Sequence, residues 1–293
     1  MSKNFILWLS VLIFVITGGL PNSSTYGQGM ATNPPRLYFT APPGGNETQK
    51  LTIMNTGQMP LELGISIGDW DYDSLGNNRL YDAGSLTTSA ADWIRIFPSS
   101  YLVLQPGERK DLEVTLTPPA DTGRIVPVHT AMIFLTQLNP VSSQIVQGAN
   151  IKINIRSGTK VYHSFFPGNT RDIEITDFKK TAPVHADSAA LLELALTVDG
   201  KLWVEGHVRM ELLNMQSGEK TRLPDIRFYA LPGDIRIVRT ELPVHLPAGR
   251  YTVTAQISFG KRDELKVAEL EFAIDEDRKA ETGDRRRETG TSE

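Results

Sequence analysis

Apolar residues along this chain recur at every second position in short runs, and nowhere past the first thirty residues do they take the three-to-four spacing of a long amphipathic helix. Leu112, Val114 and Leu116 alternate with Glu113, Thr115 and Thr117, which gives one face for a core and one for water. Runs of the same kind are RLYFT at 36–40, KLTIMN at 50–55, LELGISI at 61–67, WIRIF at 93–97, KDLEVTLT at 110–117 and HTAMIFLTQ at 129–137. A long last stretch follows from Asn150 to Phe166. Pro, Gly, Asn and Asp clusters separate them. Short β-branched and aromatic runs at this spacing predict an immunoglobulin-like sandwich.

The pattern breaks at Pro167, Gly168 and Asn169 and then starts again with RDIEITDF at 171–178. Further runs lie at 190–200, 202–214, 225–231, 234–242, 250–260 and 264–274; in the fifth, Tyr251, Val253, Ala255, Ile257 and Phe259 oppose Thr252, Thr254, Gln256 and Ser258. The expected fold is therefore all-β, with two immunoglobulin-like sandwiches in tandem, over residues 29–167 and 168–275. Trp93 is large enough to fill space between two sheets. In LPAGRY, Tyr251 is placed to brace its hydroxyl on upstream backbone as a tyrosine corner does.

The two ends differ in character. Lys3 precedes an apolar run from Phe5 to Ile16, too short to cross a bilayer comfortably, and small residues near Gln28 suit cleavage. Residues 1–28 are read as an export signal, which leaves no membrane span after cleavage; an uncleaved anchor is the rival reading. Residues 276–293 carry almost no apolar side chain and are expected to be disordered. The 293 residues include 0 cysteines, so disulfides, thiolate metal sites and catalytic thiols are excluded. That suits an oxidising envelope compartment, and the expected location is the periplasm.

A net charge of −4 with both signs scattered leaves no footprint for nucleic acid. Asp69, Asp71 and Asp73 in DWDYDSLGNN have the alternation of a calcium loop. Ser74 and Leu80 stand where an EF-hand wants glycine and glutamate, so an exposed acidic hairpin loop is the better reading. The five histidines have no paired metal spacing, and no nucleophile elbow, phosphate loop or dinucleotide fingerprint occurs. No catalytic residue, metal or cofactor is assigned.

Four pieces carry a resemblance: RLYF near the start, KLTIMNTGQMPLEL, WIRIFPSSYLVLQPGE and MIFLTQLNP. Together they make residues 36–166 resemble the periplasmic pilus-assembly chaperones, with the second unit similar only in architecture. GRIVPVHTAM lacks the charged motif that the family shows ahead of its penultimate strand, and the charged C-terminal tail is extra.

The resemblance implies protein clients, pilin-like or other exported subunits, completed by donation of a strand. Ile151, Ile153 and Ile155 take the place of the donated residues, and Arg36 and Lys160 that of a cationic pair anchoring the client's terminal carboxylate. Burying three isoleucines is worth about 5 to 9 kcal/mol before ordering costs, against about 0 to 1 kcal/mol for an exposed ion pair. The isoleucines would supply affinity and the charges register. Each residue has a plainer reading: alternating isoleucines also suit an ordinary core strand, and the two cations a solvated strand start and an edge-protecting lysine. A structural or adhesive scaffold of an envelope complex is the alternative function. An exposed edge near Ile151 also predicts a self-capping dimer when no client is bound.

Overall fold

The computed structural model describes residues 29–121, 126–140, 142–146, 149–152, 154–166, 170–182, 189–260 and 264–275, with the backbone alone for 142–146 and 149–152. The expected export signal, the break at residues 167–169, Ile153 and the charged tail lie outside the described residues.

Twelve strands come from the first part of the chain: β1 (Met30–Asn33), β2 (Arg36–Phe39), β3 (Glu47–Asn55), β4 (Leu61–Tyr72), β5 (Asn78–Tyr81), β6 (Ile94–Phe97), β7 (Tyr101–Leu104), β8 (Arg109–Leu116), β9 (His129–Gln137), β10 (Ser142–Val146), β11 (Ala149–Lys152) and β12 (Arg156–His163). One sheet has the order β1-β3-β8-β6 and the other β2-β12-β9-β4-β5, with β7 beside β4. Strands β10 and β11 form a separate two-stranded hairpin. The alternation seen in the sequence decides which side chains enter the core. Leu112, Val114 and Leu116 of β8 meet Leu37, Phe39, Ile133, Leu135 and Val161 from the facing sheet, and all are buried.

Eight strands follow: β13 (Ile173–Thr181), β14 (Leu191–Val198), β15 (Val204–Asn214), β16 (Lys220–Arg222), β17 (Ile226–Ala230), β18 (Ile235–Glu241), β19 (Gly249–Phe259) and β20 (Glu264–Ile274). They make a three-stranded sheet β13-β14-β18 and a second sheet β16-β15-β19-β20, with β17 beside β15. Their own core includes Leu194, Leu196, Val208, Phe228, Val253 and Ile257. Tyr251 donates its hydroxyl to the Pro247 carbonyl at 2.8 Å, the brace expected of a tyrosine corner.

Two expectations change. The run 150–166 is not one strand, because the described backbone leaves the sheet geometry between β11 and β12. Nor is Asp69 part of an exposed acidic loop. It ends up fully buried, since Ser89 Oγ at 2.6 Å and the Leu86 amide at 3.0 Å satisfy its carboxylate and pin the following loop to β4. Asp71 pairs with Arg79 at 2.8 Å and Asp73 accepts from Asn77, so the three acids of the calcium-like spacing turn to three different partners.

Trp93, just ahead of β6 of one sheet, is partly buried against the first core and packs on His129 of β9 and His163 of β12 in the other. His129 and His163 are both buried, with their Nδ1 atoms 3.5 Å apart, and His163 Nε2 lies 2.9 Å from the Ala41 carbonyl. Burial holds both imidazoles below their ordinary value, His129 at about 4, with its neighbour His163 adding to the effect. Between 6.5 and about 4 the unfolded chain therefore binds a proton that the folded one refuses. Stability is full above this window and is lost as the pH falls through it. Urea unfolding at pH 7 and pH 4 is expected to differ by about 3 kcal/mol from His129 alone, and His129→Gln is expected to shrink that difference.

Candidate functional site

Strand β12 carries the site because it changes partners along its length. On one side it pairs antiparallel with β9 from Arg156 to His163 without a register shift, Ser157 and Gly158 included. On the other it pairs parallel with β2, but only from Lys160 to His163. The Lys160 amide reaches the Pro35 carbonyl at 3.2 Å. Before Lys160, no described strand pairs with it on that side. The edge from Arg156 to Thr159 is open among the described residues, and β11 ahead of it has β10 as its one described partner strand.

Parity along β12 sorts its side chains. Thr159, Val161 and His163 face the sandwich interior; Ile155, just ahead of β12, is half-buried, and its carbonyl accepts from the Gln137 amide at 2.9 Å. Lys160 and Tyr162 face the opposite way, toward the second sandwich. Arg36 and Tyr38 of β2 do the same. Since Lys160 is in register with Arg36 and Tyr162 with Tyr38, the two strands set cation beside cation and tyrosine beside tyrosine.

These residues sit in the wall of an aromatic cluster between the sandwiches, where Trp70, Tyr72, Met132, Phe134 and Tyr162 meet Leu202, Trp203 and Leu231. Tyr38 stacks on both Tyr162 and Trp203 with centroids 5.2 Å apart. Its hydroxyl donates to the Glu205 carboxylate, and burial together with that carboxylate pushes the phenol well above its ordinary value. The Trp70 indole donates to the Ala131 carbonyl at 2.7 Å, which fixes its ring. A second contact ties the units: the Ile237 amide and the Arg236 guanidinium both donate to the Ser74 carbonyl in the β4–β5 turn, at 2.7 and 3.2 Å. The strand pair that holds Trp70 and Tyr72 is thereby strapped to β18.

Two cations enter this cluster without an ion pair among the described residues. Lys160 is 9% exposed. Its Nζ donates to the Tyr72 hydroxyl at 2.8 Å and lies 4.2 Å from the Trp70 ring centre and 4.1 Å from that of Tyr72. The Tyr72 and Tyr162 hydroxyls are 3.2 Å apart and extend the chain. Arg36 lies with its guanidinium carbon 3.9 Å from the Tyr229 ring centre, and its Nε is buried with no hydrogen-bond partner. Burial first, and the charge of Arg36 second, lower Lys160 to about 7. Arg36 Nε is thus a buried donor without a partner among the described residues, next to an ammonium that burial disfavours.

A neighbouring cavity of about 440 Å³ opens beyond Tyr38 and Glu205, lined also by Thr40, Ser164, Arg171 and Trp203; neither Arg36 nor Lys160 lines it. Among the described residues no group of acidic side chains and histidines could hold a metal ion.

The sequence reading therefore has Arg36 and Lys160 side by side and Ile155 just ahead of β12. Ile151 has its backbone in β11, opposite Gln144, and Ile153 is outside the described residues. The reading missed Tyr38, Trp70, Tyr72, Tyr162, Trp203, Glu205 and Tyr229. One signal for part of this set was present: Arg36-Leu37-Tyr38 and Lys160-Val161-Tyr162 repeat the same cation, aliphatic, tyrosine pattern.

No family model matches the sequence, and no curated protein matches it. Solved fimbrial chaperones are similar in shape. The CsuC–CsuE chaperone–tip adhesion subunit complex of Acinetobacter baumannii matches at 11% identity over 82% of this chain and 97% of that one, with a TM-score of 0.45. The E. coli chaperone DraB matches at 13% over 85% and 98%, TM-score 0.43. The Salmonella enterica SafA pilin in complex with the SafB chaperone matches at 10% over 86% and 99%, TM-score 0.43. Likenesses this distant concern outline alone.

If the lysine serves a ligand rather than the fold, its charge is a cost to the free protein. The unfolded chain keeps the proton up to about 10.5 and the folded cleft releases it near 7, so the penalty is full below pH 7 and fades as pH rises toward 10.5. Lys160→Met, similar in length and at home between aromatic rings, is expected to raise the thermal midpoint at pH 7. A lowered midpoint would mean that the ammonium is a structural prop.

Proposed function

We propose that this protein is a periplasmic chaperone that holds surface-fibre or secreted subunits by donating the strand edge around Ile151–Ile155 and gripping the client's terminal carboxylate with Arg36 and Lys160. The observation that carries this reading is the partner change on β12. The edge is open up to Thr159, and it closes at the residue where two cations without counter-ions face the cleft. A client strand running parallel to β12 would continue the line of β2 and bring its last residue to that cleft.

The chemistry suits each part of the task. An open edge supplies the backbone partners that an incomplete sheet lacks, and donated isoleucines supply missing core. The arginine fork can grip a carboxylate through two hydrogen bonds, with the lysine adding a point charge. The strap between Ser74 and β18 and the Tyr38–Glu205 contact would keep the second sandwich at the end of the donated strand, closing the cleft around the anion.

The test is recovery of tagged protein from the envelope of the producing cell, with partners identified and counted. The wild type is expected to carry one bound subunit per chain. Ile153→Asp is expected to lose it at least tenfold while keeping the wild-type circular dichroism spectrum, and Arg36→Ala to lose most of it. The same partner at undiminished yield in folded Ile153→Asp would overturn donation. A stable assembly of fixed composition indifferent to both substitutions would favour a scaffold.

A further inference from the structure

Two cations side by side in a buried cleft with no carboxylate to share repel one another, and loss of a proton relieves the strain. Arg36 cannot lose one, because a guanidinium stays charged at any pH a protein survives. An ammonium can. Lys160 is boxed by the rings of Trp70 and Tyr72, its hydrogen-bond partner is the neutral Tyr72 hydroxyl, and Arg36 stands opposite it in register.

The titratable and charged groups around it come from four other strands as well as its own. They are Tyr162 on β12, Arg36 and Tyr38 on β2, Tyr72 on β4, Glu205 on β15 and Tyr229 on β17. Glu205 is the one carboxylate of this set, and it is engaged by the Tyr38 hydroxyl. No ion pair reaches Lys160 among the described residues.

The geometry points to a proton-coupled anchor: a carboxylate entering beside Arg36 is bound together with one proton taken up by Lys160, so the grip weakens as pH rises. This rests on the carboxylate-anchoring reading above and adds its regulation. The free cleft holds the lysine at about 7. An opposite charge within about 4 to 6 Å favours the charged form, which lifts the occupied lysine well above its free value, while a peptide carboxylate, at about 3.5, stays ionised throughout. Affinity then falls as pH rises through the free value and levels off above the occupied one. The loss between pH 7 and pH 9 is expected to exceed about tenfold.

The probe is a synthetic nine-residue peptide of alternating valine and threonine ending in tyrosine with a free carboxylate, alongside its C-terminal amide. Titration calorimetry of the mature protein at pH 7.5, in phosphate and in Tris, counts protons through the different ionisation heats of the buffers. The carboxylate peptide is expected to bind more tightly than the amide and to take up more than about half a proton, and Lys160→Arg, which keeps the charge but does not titrate, to bind it with none. Carboxylate-selective binding with no proton uptake, and equal affinity at pH 7 and pH 9, overturns the coupling and leaves the anchor standing. Equal binding of acid and amide, or binding of neither, overturns the anchor and the coupling with it. The free protein gives an independent check: in a carbon-13 titration of the lysine Cε resonances, Lys160 is expected to have a midpoint within about one unit of 7, and a midpoint in the ordinary lysine range overturns the coupling.

Discussion

The parallel pairing of β2 with the second half of β12 is the constraint on which the cleft and the open edge both depend. It starts at Arg36 and Lys160 and runs for four residues. Because it starts there, the first half of β12 keeps one side unpaired. Because it is parallel and in register, it sets two cations and then two tyrosines against each other on the face that the second sandwich covers. Neither consequence needs a special residue elsewhere. Each follows from where one short ladder begins.

The second sandwich turns that face into a cleft. Trp203 stacks on Tyr38, Glu205 accepts from the same tyrosine, and Tyr229 lies beneath the Arg36 guanidinium. The aromatic groups surround the two cations, and no ion pair reaches either among the described residues, an arrangement that costs the free protein stability. The same strand thus joins an edge left unpaired ahead of Lys160 to a face on which two cations meet the second sandwich.

Much of the fold was legible because it is local. The alternation in β8, β14 and β19 is a period of two read directly from the residues, and the Pro247–Tyr251 brace spans four positions. What was not legible is long-range. Arg36 and Lys160 are 124 residues apart, and only the resemblance named them as a pair. That they are nearest neighbours depends on a parallel register that no local pattern encodes. Asp69 looked like one of three loop acids, yet Ser89, twenty positions on, buries it. Trp70 and Tyr72 were hidden in the same acidic run, since β4 continues to Tyr72, past the Ile67 at which its alternation fades, and its last residues are buried on both faces. From Ile151 to Ile155 the apparent strand alternates without a break, and no Gly or Pro marks the change from β11 to β12.

The open edge itself is the most direct point of attack. The Lys160 amide points to Pro35, so the amides of Arg156 and Gly158, four and two positions back in the same alternation, point out of the unpaired side. Amide hydrogen exchange of the client-free protein, read residue by residue, tests this. The account predicts fast exchange at Arg156 and Gly158 and slow exchange at Lys160 and Tyr162, with the first two becoming slow when a client is bound. Equal protection of all four amides in the free protein, unchanged on dilution, would mean that the edge is already closed by the chain itself and would contradict the account.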